Sequence, residues 1–294
     1  MEVKDYMKIK LFTDSASDLP LAYIKEHNIG VACLEVNVQG KFIPDDFGQT
    51  MSYERFYELL RQGEQTSTSQ VNIHTFEELF EEAVKEGYAI IYIGLAAVLS
   101  GTVNSAIVAR MNILERYPEA DITVIDSKSA SLGESLLVTK ACEMIEKGHT
   151  KEEIVEWVES NRTKVIHAIT VDDLNFLKRG GRISATTAAI GGMLGIKPSI
   201  KLDDEGKVMP GAKLKGNKNA LKYLVNEVIE KGVDLENQTL FICHGDVEDR
   251  AEMLKAMILE KVNVKDVIIN QIGTVIGTHV GPGAMAVMFL GTGR

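Results

Sequence analysis

FEELFEEAVKEGYAIIYI, the sequence of residues 76–93, contains the two patterns that decide the fold class. Its first part places apolar side chains three, four and seven residues apart, the spacing of one face of a helix over Phe76–Lys85. Gly87 is suited to end this helix, because a glycine commonly follows the last helical residue. The next run, Ala89–Ile93, is short, apolar and rich in β-branched residues, and it predicts a buried strand. A helix followed by such a strand is typical of an α/β protein.

The same alternation extends on both sides of this segment. Further strands are predicted at Ile9–Thr13, Val31–Val38, Ile122–Ile125 and Val165–Val171, and further helices at Val103–Arg116 and Ser131–Lys147. Gly148 follows the last of these helices, as Gly87 follows the first. This order predicts a three-layer α/β/α domain in which helices cover both faces of a mostly parallel sheet.

Beyond residue 165 the pattern changes. Pro198–Pro210 reads as two strands around a turn at Asp203–Gly206. The elements expected after it are helix Ala220–Lys231, strand Thr239–Cys243, helix Glu248–Lys261, and strands Asp266–Ile272 and Ala284–Leu290. The sequence therefore predicts two domains, residues 1–165 and residues 166–294, the second being a smaller α/β layer with an antiparallel or mixed sheet.

Composition excludes several classes of function. The 294 residues carry a formal net charge of -10, which disfavours nucleic acid as a partner. The three cysteines include no CxxC pair, so neither a disulfide framework nor a thiolate zinc site is expected, and we predict no metal and no cofactor. No uninterrupted apolar run reaches about 18 residues, so no membrane span is predicted. The charged N-terminus lacks the features of a secretion signal, and a cytoplasmic location is expected.

The segment Thr13–Pro20, TDSASDLP, directly follows the first predicted strand. A phosphoryl-transfer interpretation would make Asp14 a nucleophile, but the second aspartate that this chemistry commonly has two residues later is Ala16. The alternative is structural, with Ser17 or Asp18 capping the next helix and Pro20 in its first turn.

Two further segments are rich in hydroxyl groups. Thr66–Gln70 contains four hydroxyl side chains in a row, a composition that also suits a surface loop. Leu99–Ala106 lies between a predicted strand and a predicted helix, and it places Ser100 and Gly101 where backbone N–H groups of a first helical turn point outward. Such a turn binds anions through its hydrogen bonds and through the helix dipole.

The last two segments combine glycine with a cation or an imidazole. Phe176–Ser184 has two glycines between arginines, which suggests either a turn that presents Arg182 or a sharp connection between helices. In the first case Ser184 would cap a helix of small residues, 185–192, along which an extended ligand could lie. Ile272–Ala284 places His279 among glycines that permit close approach of the backbone.

Taken together and in order, these segments resemble the DegV family of bacterial fatty-acid-binding proteins over nearly the whole chain. The motifs are TDSASDLP, TSQ at Thr68–Gln70, LSGT followed by NSA, VIDS at Val124–Ser127, LKRGGRIS and IGTVIGTHVGPGA. The resemblance implies two α/β domains with a buried acyl tunnel between them, which holds a long-chain fatty acid such as palmitate, stearate or oleate. It also implies that the protein is a carrier and not an enzyme, and that some members deliver the fatty acid to a separate kinase that forms an acyl phosphate.

The resemblance also assigns the polar end of the tunnel. Thr68 and Ser100, with Gly101 beside it, correspond to the residues that hold the carboxylate. Arg182 and His279 correspond to the residues that complete this end, and Thr278 approaches it.

The chain departs from the family pattern in two places. Ala96–Val98 stands where the family often has Ser-Ser-Gly, and Val71 follows TSQ in place of the usual proline. The first change removes two hydroxyls near the head group. A surface that the family turns towards the kinase carries basic residues, and here Lys213, Lys215 and Lys218 occupy a similar place.

Two other functions fit parts of the pattern. A serine hydrolase would use Ser100 as nucleophile, His279 as base and Asp14 or Asp126 as the orienting acid, but the GxSxG elbow is absent around Ser100. A carrier of a different anion, such as a phosphosugar, would use the same first-turn N–H groups. We therefore expect binding of a fatty acid by its carboxylate and keep these two alternatives.

Overall fold

The computed structural model describes residues 8–184 and 195–294. Its strands are β1 Ile9–Asp14, β2 Gly30–Ala32, β3 Glu35–Val38, β4 Lys41–Pro44, β5 Ser67–Ser69, β6 Ala89–Gly94, β7 Ile122–Asp126, β8 Val165–Thr170, β9 Ile196–Leu202, β10 Val208–Lys215, β11 Thr239–His244, β12 Asp266–Gln271 and β13 Met285–Leu290. Its helices are α1 Leu21–Glu26, α2 Tyr53–Arg61, α3 Ile73–Lys85, α4 Thr102–Arg116, α5 Leu132–Glu146, α6 Lys151–Asn161, α7 Asn175–Arg179, α8 Gly216–Lys231, α9 Glu248–Leu259 and α10 Thr274–Val280.

The two sheets predicted from the sequence are both present. Strands β2-β1-β6-β7 form a four-stranded sheet in which every pair is parallel. Strands β10-β9-β8-β13-β11-β12 form a six-stranded mixed sheet, in which β11 and β12 are parallel and the other pairs are antiparallel. The α/β fold class is confirmed.

A three-stranded antiparallel sheet, β4-β3-β5, was not expected. The prediction of one strand over Val31–Val38 is wrong, because this run is divided between β2 of the parallel sheet and β3 of the small sheet. Buried Leu34 lies at the division, where its N–H donates to the hydroxyl of Ser15 at 3.0 Å instead of to a neighbouring strand. The loop interpretation of Thr66–Gln70 is also wrong, because Ser67–Ser69 pairs with β3.

Helix α5 joins the two larger sheets. It contacts β1 and β6 of the parallel sheet as well as β8, β11 and β13 of the mixed sheet, and most of its residues are buried. A single cluster of buried apolar side chains therefore runs through both sheets and includes Leu11, Leu137 and Met288. The mixed sheet begins in sequence with β8 at Val165, close to the predicted boundary, and the division into residues 1–165 and 166–294 stays a prediction.

Local signals explain where most helices begin and end. Helix α3 begins three residues before its predicted start because the side chain of Asn72 accepts a hydrogen bond from Thr75 N at 2.9 Å. Gly87 and Gly148 follow α3 and α5 with φ angles of 79° and 78°, a conformation that suits glycine. The helix predicted at 185–192 lies outside the described residues. Within the described ranges no helix combines the length and hydropathy needed to cross a bilayer.

The capping prediction for TDSASDLP is wrong. Helix α1 begins after Pro20 without a side-chain cap. The hydroxyl of Ser17 donates to the carbonyl of Asp14 at 2.8 Å, and the Asp18 side chain points into the protein interior. The Ser17 side chain is thus used for a local turn, and the Asp18 side chain for contacts with Ser131 and Gly273, which the local sequence pattern does not reveal.

Candidate functional site

A partly enclosed cavity of about 200 Å³ lies beyond the carboxyl end of β6, between the parallel sheet and the mixed sheet. In an α/β sheet this end of the strands is the usual place for a ligand. Most of the lining is apolar and is contributed by Leu34, Leu95, Leu99, Ile169, Leu177, Ile200, Leu202, Val208, Ile272, Val275, Ile276, Val280, Met285 and Met288, among others.

Five of the six residues predicted for the site line this cavity, although they belong to four distant segments. Thr68 lies on β5, Ser100 and Gly101 precede α4, Arg182 follows α7, and His279 lies on α10. They share the cavity wall with the polar side chains of Ser69, Gln70, Ser131 and His167. The fold therefore brings these five residues together around one space.

Thr68 and His279 are directly hydrogen-bonded, with 2.9 Å between Thr68 Oγ1 and His279 Nε2. Burial, and then the nearby charge of Arg182, lower the pKa of His279 to about 4, so the imidazole is neutral at pH 7. Its Nδ1 is buried and has no hydrogen-bond partner among the described residues. This nitrogen faces Gly180, where a Cβ atom would lie only 2.1 Å from it. Gly180 thus provides the space that the imidazole occupies.

Ser100 is held by the first turn of α4. Its Oγ accepts a hydrogen bond from Thr102 N at 3.3 Å and lies 2.9 Å from Thr102 Oγ1. Thr102 Oγ1 in turn accepts from Val71 N at 3.4 Å. When the Thr102 hydroxyl donates to Ser100 Oγ, the Ser100 proton is available for a ligand in the cavity.

Arg182 fixes the loop that carries Ser100. Its Nε and Nη2 donate to the carbonyl of Leu99 at 3.1 and 2.9 Å, and its Nη1 donates to the carbonyl of Gly180. Burial lowers the pKa of this guanidinium, but arginine side chains stay protonated in proteins. No carboxylate within residues 8–184 and 195–294 forms an ion pair with it. The polar end of the cavity therefore contains a half-buried positive charge without a countercharge from the described chain.

Thr278 lies in a different position from the other five. It lines a second, outer pocket of about 150 Å³, which shares Thr68, Arg182 and His279 with the cavity. Its hydroxyl donates to Thr274 O at 2.9 Å and lies 3.0 Å from the hydroxyl of Thr66. Thr278 therefore orients the helix and the outer wall instead of facing the apolar space.

Gln70 was missed as a site residue, although it belongs to the TSQ motif. It lines the cavity, and its Nε2 donates to Ser105 Oγ at 2.9 Å. A Cβ atom at Gly101 would lie 2.1 Å from Gln70 Oε1, so Gly101 leaves room for this amide. The glycine before a helix start was the one sequence signal for this contact. None of the three residues Ala96–Val98, where the chain departs from the family pattern, lines the cavity.

The arrangement lacks the relay that a serine hydrolase needs. Ser100 bonds to Thr102 instead of His279. Asp14 is buried and accepts from Tyr92 Oη at 2.7 Å and from Leu95 N at 2.9 Å, while Asp126 accepts from backbone N–H groups. Neither carboxylate bonds to His279. These aspartates hold loops after the parallel strands.

One group of described side chains has donor atoms close enough together to hold a metal ion. The donor atoms of His27, Cys142 and Glu146 lie within 4.8 Å of one another, and none of the three lines the cavity. His27 Nδ1 lies 2.6 Å from Glu146 Oε1, and the His27 ring stacks on Tyr23. His27 and Glu146 are thus partners of each other.

Comparison with known proteins identifies the family. A family model described as "Uncharacterised protein, DegV family" matches residues 8–292. A DegV domain-containing protein of Clostridium perfringens is 46% identical over 284 residues, which cover 97% of this chain and 98% of the relative.

Solved structures have the same fold. A Thermus thermophilus structure described as fatty acid binding of a DegV family protein has a TM-score of 0.88 and 29% identity, and the match covers 97% of this chain and 100% of that one. A stearic-acid-binding protein from Eubacterium ventriosum has a TM-score of 0.84 and 25% identity over 97% of this chain and 98% of its own. From the match of sequence and structure over almost its whole length, the chain belongs to the DegV family.

Proposed function

We propose that this protein binds one long-chain fatty acid, with the acyl tail in the apolar cavity and the carboxylate at Thr68, Ser100, Arg182 and His279. The observation that carries the proposal is the half-buried guanidinium of Arg182, which has no carboxylate partner in the described chain and lies in the wall of a mainly apolar cavity. An anion with a long apolar tail matches both features. The fatty acids bound by structural relatives support this class of ligand.

The energies of the two ends of such a ligand explain the lining. Burial of the tail contributes about 0.8 kcal/mol per methylene before the costs of association. A buried carboxylate without partners would cost several kcal/mol, so it needs donors and positive charge. Hydroxyl donors and a nearby guanidinium supply both, and hydrogen bonds to an ionised group are stronger than those between neutral groups.

The hydrogen bonds around Thr68 favour donation to the ligand. Because His279 is neutral, only one of its nitrogens carries a proton. With that proton on Nε2, the imidazole donates to Thr68 Oγ1 across 2.9 Å, and the hydroxyl proton of Thr68 is directed at the carboxylate. The same logic applies to Ser100, which accepts from Thr102 and donates into the cavity. Thr68 and Ser100 then act as two prepared donors.

The cavity chemistry also favours one kind of anion over another. A phosphosugar would bring hydroxyl groups into a space whose walls are mainly leucine, isoleucine, valine and methionine side chains. These hydroxyls would lose their hydrogen bonds to water without replacement. A fatty acid has no polar group beyond its carboxylate, and it is therefore the better match.

Presentation to a separate kinase is the second part of the proposal. The outer pocket shares Thr68, Arg182 and His279 with the cavity and is also lined by Arg179 and Glu64, so the carboxylate would lie close to a surface opening that carries two arginines and one glutamate. A kinase could reach the head group there while the tail stays covered. The exposed Lys213, Lys215 and Lys218 would attract an acidic partner. We place this function in the cytoplasm, where the free thiols of the three cysteines would stay reduced.

Native mass spectrometry of the purified protein tests the proposal. We expect an added mass equal to one fatty acid of about 16 to 18 carbons, which is removed by organic extraction and restored by added oleate. A phosphorylated polar metabolite in the bound fraction, or a protein that does not take up palmitate, stearate or oleate, would contradict it. Incubation with fluorophosphonate should leave Ser100 unlabelled.

A further inference from the structure

We propose that Asp18 and Asp45 are positioning residues, which bind the N-terminal end of α10 and thereby hold His279 against Thr68. This inference rests on the proposed function, because it assigns His279 to the head group. Both aspartates are almost completely buried, at 1% and 2% exposure, and neither forms an ion pair among the described residues. Neither lines the cavity. Their role is therefore to be found in their contacts with α10.

Asp18 bonds to the residue that precedes the helix. Its Oδ1 accepts from Gly273 N at 2.8 Å, and its Oδ2 accepts from the hydroxyl of Ser131. The carbonyl of Asp18 also accepts from Asn270 Nδ2 at 2.6 Å. The loop after β1 is thus joined at two points to the chain that leads from β12 into α10.

Asp45 bonds to the first residue of the helix. Its Oδ1 accepts from both Thr274 N at 3.1 Å and Thr274 Oγ1 at 2.8 Å. The Oδ2 atom of Asp45 is buried and has no hydrogen-bond partner among the described residues. Within that part of the chain, Asp45 therefore accepts its side-chain hydrogen bonds only through Oδ1. Negative charge at the start of a helix is favoured, because free N–H groups and the helix dipole are concentrated there.

Gly273 allows the two carboxylates to approach the same helix end. A Cβ atom at this position would lie 2.8 Å from Asp18 Oδ1 and 3.1 Å from Asp45 Oδ1. A larger residue would therefore push one carboxylate away. The absence of a side chain at Gly273 is a requirement of the double contact.

The middle of α10 has a third point of attachment. A Cβ atom at Gly277 would lie 2.8 Å from the Phe56 ring and 2.8 Å from the hydroxyl oxygen of Tyr57, so α2 packs directly on the helix backbone. Tyr57 Oη donates to the carbonyl of Ile272 at 3.0 Å. With seven residues, α10 is too short to be stable by itself, so these contacts determine where it lies.

His279 is five residues after Thr274, which is about 7.5 Å along a helix axis. A shift or tilt of the first turn is therefore transmitted to the imidazole through little more than one helical turn. The 2.9 Å bond to Thr68 is the contact that such a shift would lengthen first.

The test follows the His279 imidazole by ¹H–¹⁵N NMR in ligand-free protein at pH 8, with its signals assigned by comparison with His279→Gln. Asp45→Ala should shift or broaden these signals. It should also weaken oleate binding about tenfold, the effect expected when the carboxylate of the ligand loses one hydrogen bond. Asp45→Asn retains an acceptor oxygen, so it should restore most of the parent's His279 signals and most of its oleate affinity. Asp203→Ala is the matched control, because it makes the same change at an aspartate whose Oδ1 accepts two hydrogen bonds within its own turn, from Glu205 N and Lys207 N.

Thr274→Val provides a second variant if Asp45→Ala does not fold. It removes one donor to Asp45 at nearly constant volume, and we expect a smaller change of the same His279 signals. Unchanged His279 signals and oleate affinity within twofold in folded Asp45→Ala or Thr274→Val would overturn the inference. If the parent protein does not bind oleate, the proposed function fails, while the NMR signals still test the positioning.

Discussion

Thr68 and His279 are 211 positions apart in the chain and 2.9 Å apart in the structure. Thr68 lies on β5, an edge strand of the small antiparallel sheet. His279 lies on the short helix α10, which follows β12 of the mixed sheet in sequence. The polar end of the cavity is thus made from both halves of the chain. Neither half by itself contains the group of donors that a carboxylate requires.

Replacement of the two hydroxyl donors should remove most of the affinity for a fatty acid. For Thr68→Val combined with Ser100→Ala, we expect oleate binding weakened roughly 100-fold or more, because two hydrogen bonds to an ionised group are lost. Isothermal calorimetry with delipidated protein measures this loss. The control Thr123→Val with Ser160→Ala makes the same chemical changes away from the cavity and should bind as the parent does. Equal retention of lipid by both double variants would contradict the head-group assignment.

Arg182 should determine the preference for an acid over a neutral lipid. Arg182→Gln removes the charge, and we expect the ratio of affinities for oleate and oleyl alcohol to fall about tenfold or more, since the alcohol gains nothing from the guanidinium. Arg182→Lys should keep part of the preference, although lysine lacks the planar fork with which Arg182 bonds to the carbonyls of Leu99 and Gly180. Competition binding with a fluorescent fatty acid measures the ratio, and an unchanged ratio in Arg182→Gln would exclude the proposed role.

The buried imidazole of His279 should make stability depend on pH. Its pKa of about 4 lies below the usual value of 6.5, so the neutral form is favoured by folding. The stability that the folded state gains from the neutral imidazole is fully present above pH 6.5. It is lost as the pH falls towards 4, by about 3 kcal/mol in total. We expect the difference in unfolding free energy between the parent and His279→Gln to shrink over this window in urea denaturation. A constant difference from pH 7 to pH 4 would show that the imidazole is not held neutral.

Ligand binding should raise the pKa of the same imidazole. A carboxylate beside His279 offsets the charge of Arg182, and an opposite charge favours the protonated form. In an NMR titration, the His279 signals should therefore titrate at higher pH with oleate than without it. Oleyl alcohol supplies the control, because it fills the cavity without adding charge. An identical pKa with oleate and with the alcohol would place the carboxylate elsewhere.

Gly180→Ala should weaken binding through His279. The backbone of Gly180 has φ of -70°, which alanine also adopts, so the cost arises from the Cβ atom that would lie 2.1 Å from His279 Nδ1. We expect oleate affinity to fall about tenfold in the parent background and by much less when His279 is alanine, as residues in direct contact do not act additively. A double-mutant cycle measured by calorimetry provides the comparison. Additive effects of the two substitutions would show that the contact is unimportant.

The longer elements were predictable because their periodicity is visible in the sequence. Helices α3, α4 and α5 and the strands β1, β6 and β7 occur close to their predicted positions, since regular spacing of apolar residues directly reflects a buried face. The turn between β9 and β10 followed from Asp203–Gly206. Five of the six site residues also share one cavity, although the motif resemblance, and not the pattern alone, selected them.

The remaining elements depend on contacts between distant residues. Helix α10 was not predicted within the glycine-rich segment Ile272–Ala284, because glycine is disfavoured in helices, and here Gly273 and Gly277 are needed for approach to Asp18, Asp45 and α2. Asp18 was assigned to a helix cap, which is the common local role of such a residue. Only the folded chain shows that it binds a backbone N–H 255 positions away.

The position of β13 has a consequence for how the protein is made. This strand is the last in sequence, but it lies between β8 and β11 in the middle of the mixed sheet, and its residues Met285, Ala286 and Met288 line the cavity. A growing polypeptide on the ribosome cannot close this sheet before residue 290 has emerged. The lipid site is therefore completed only after translation has passed that point, and truncation before β13 would leave two unpaired strand edges exposed to aggregation.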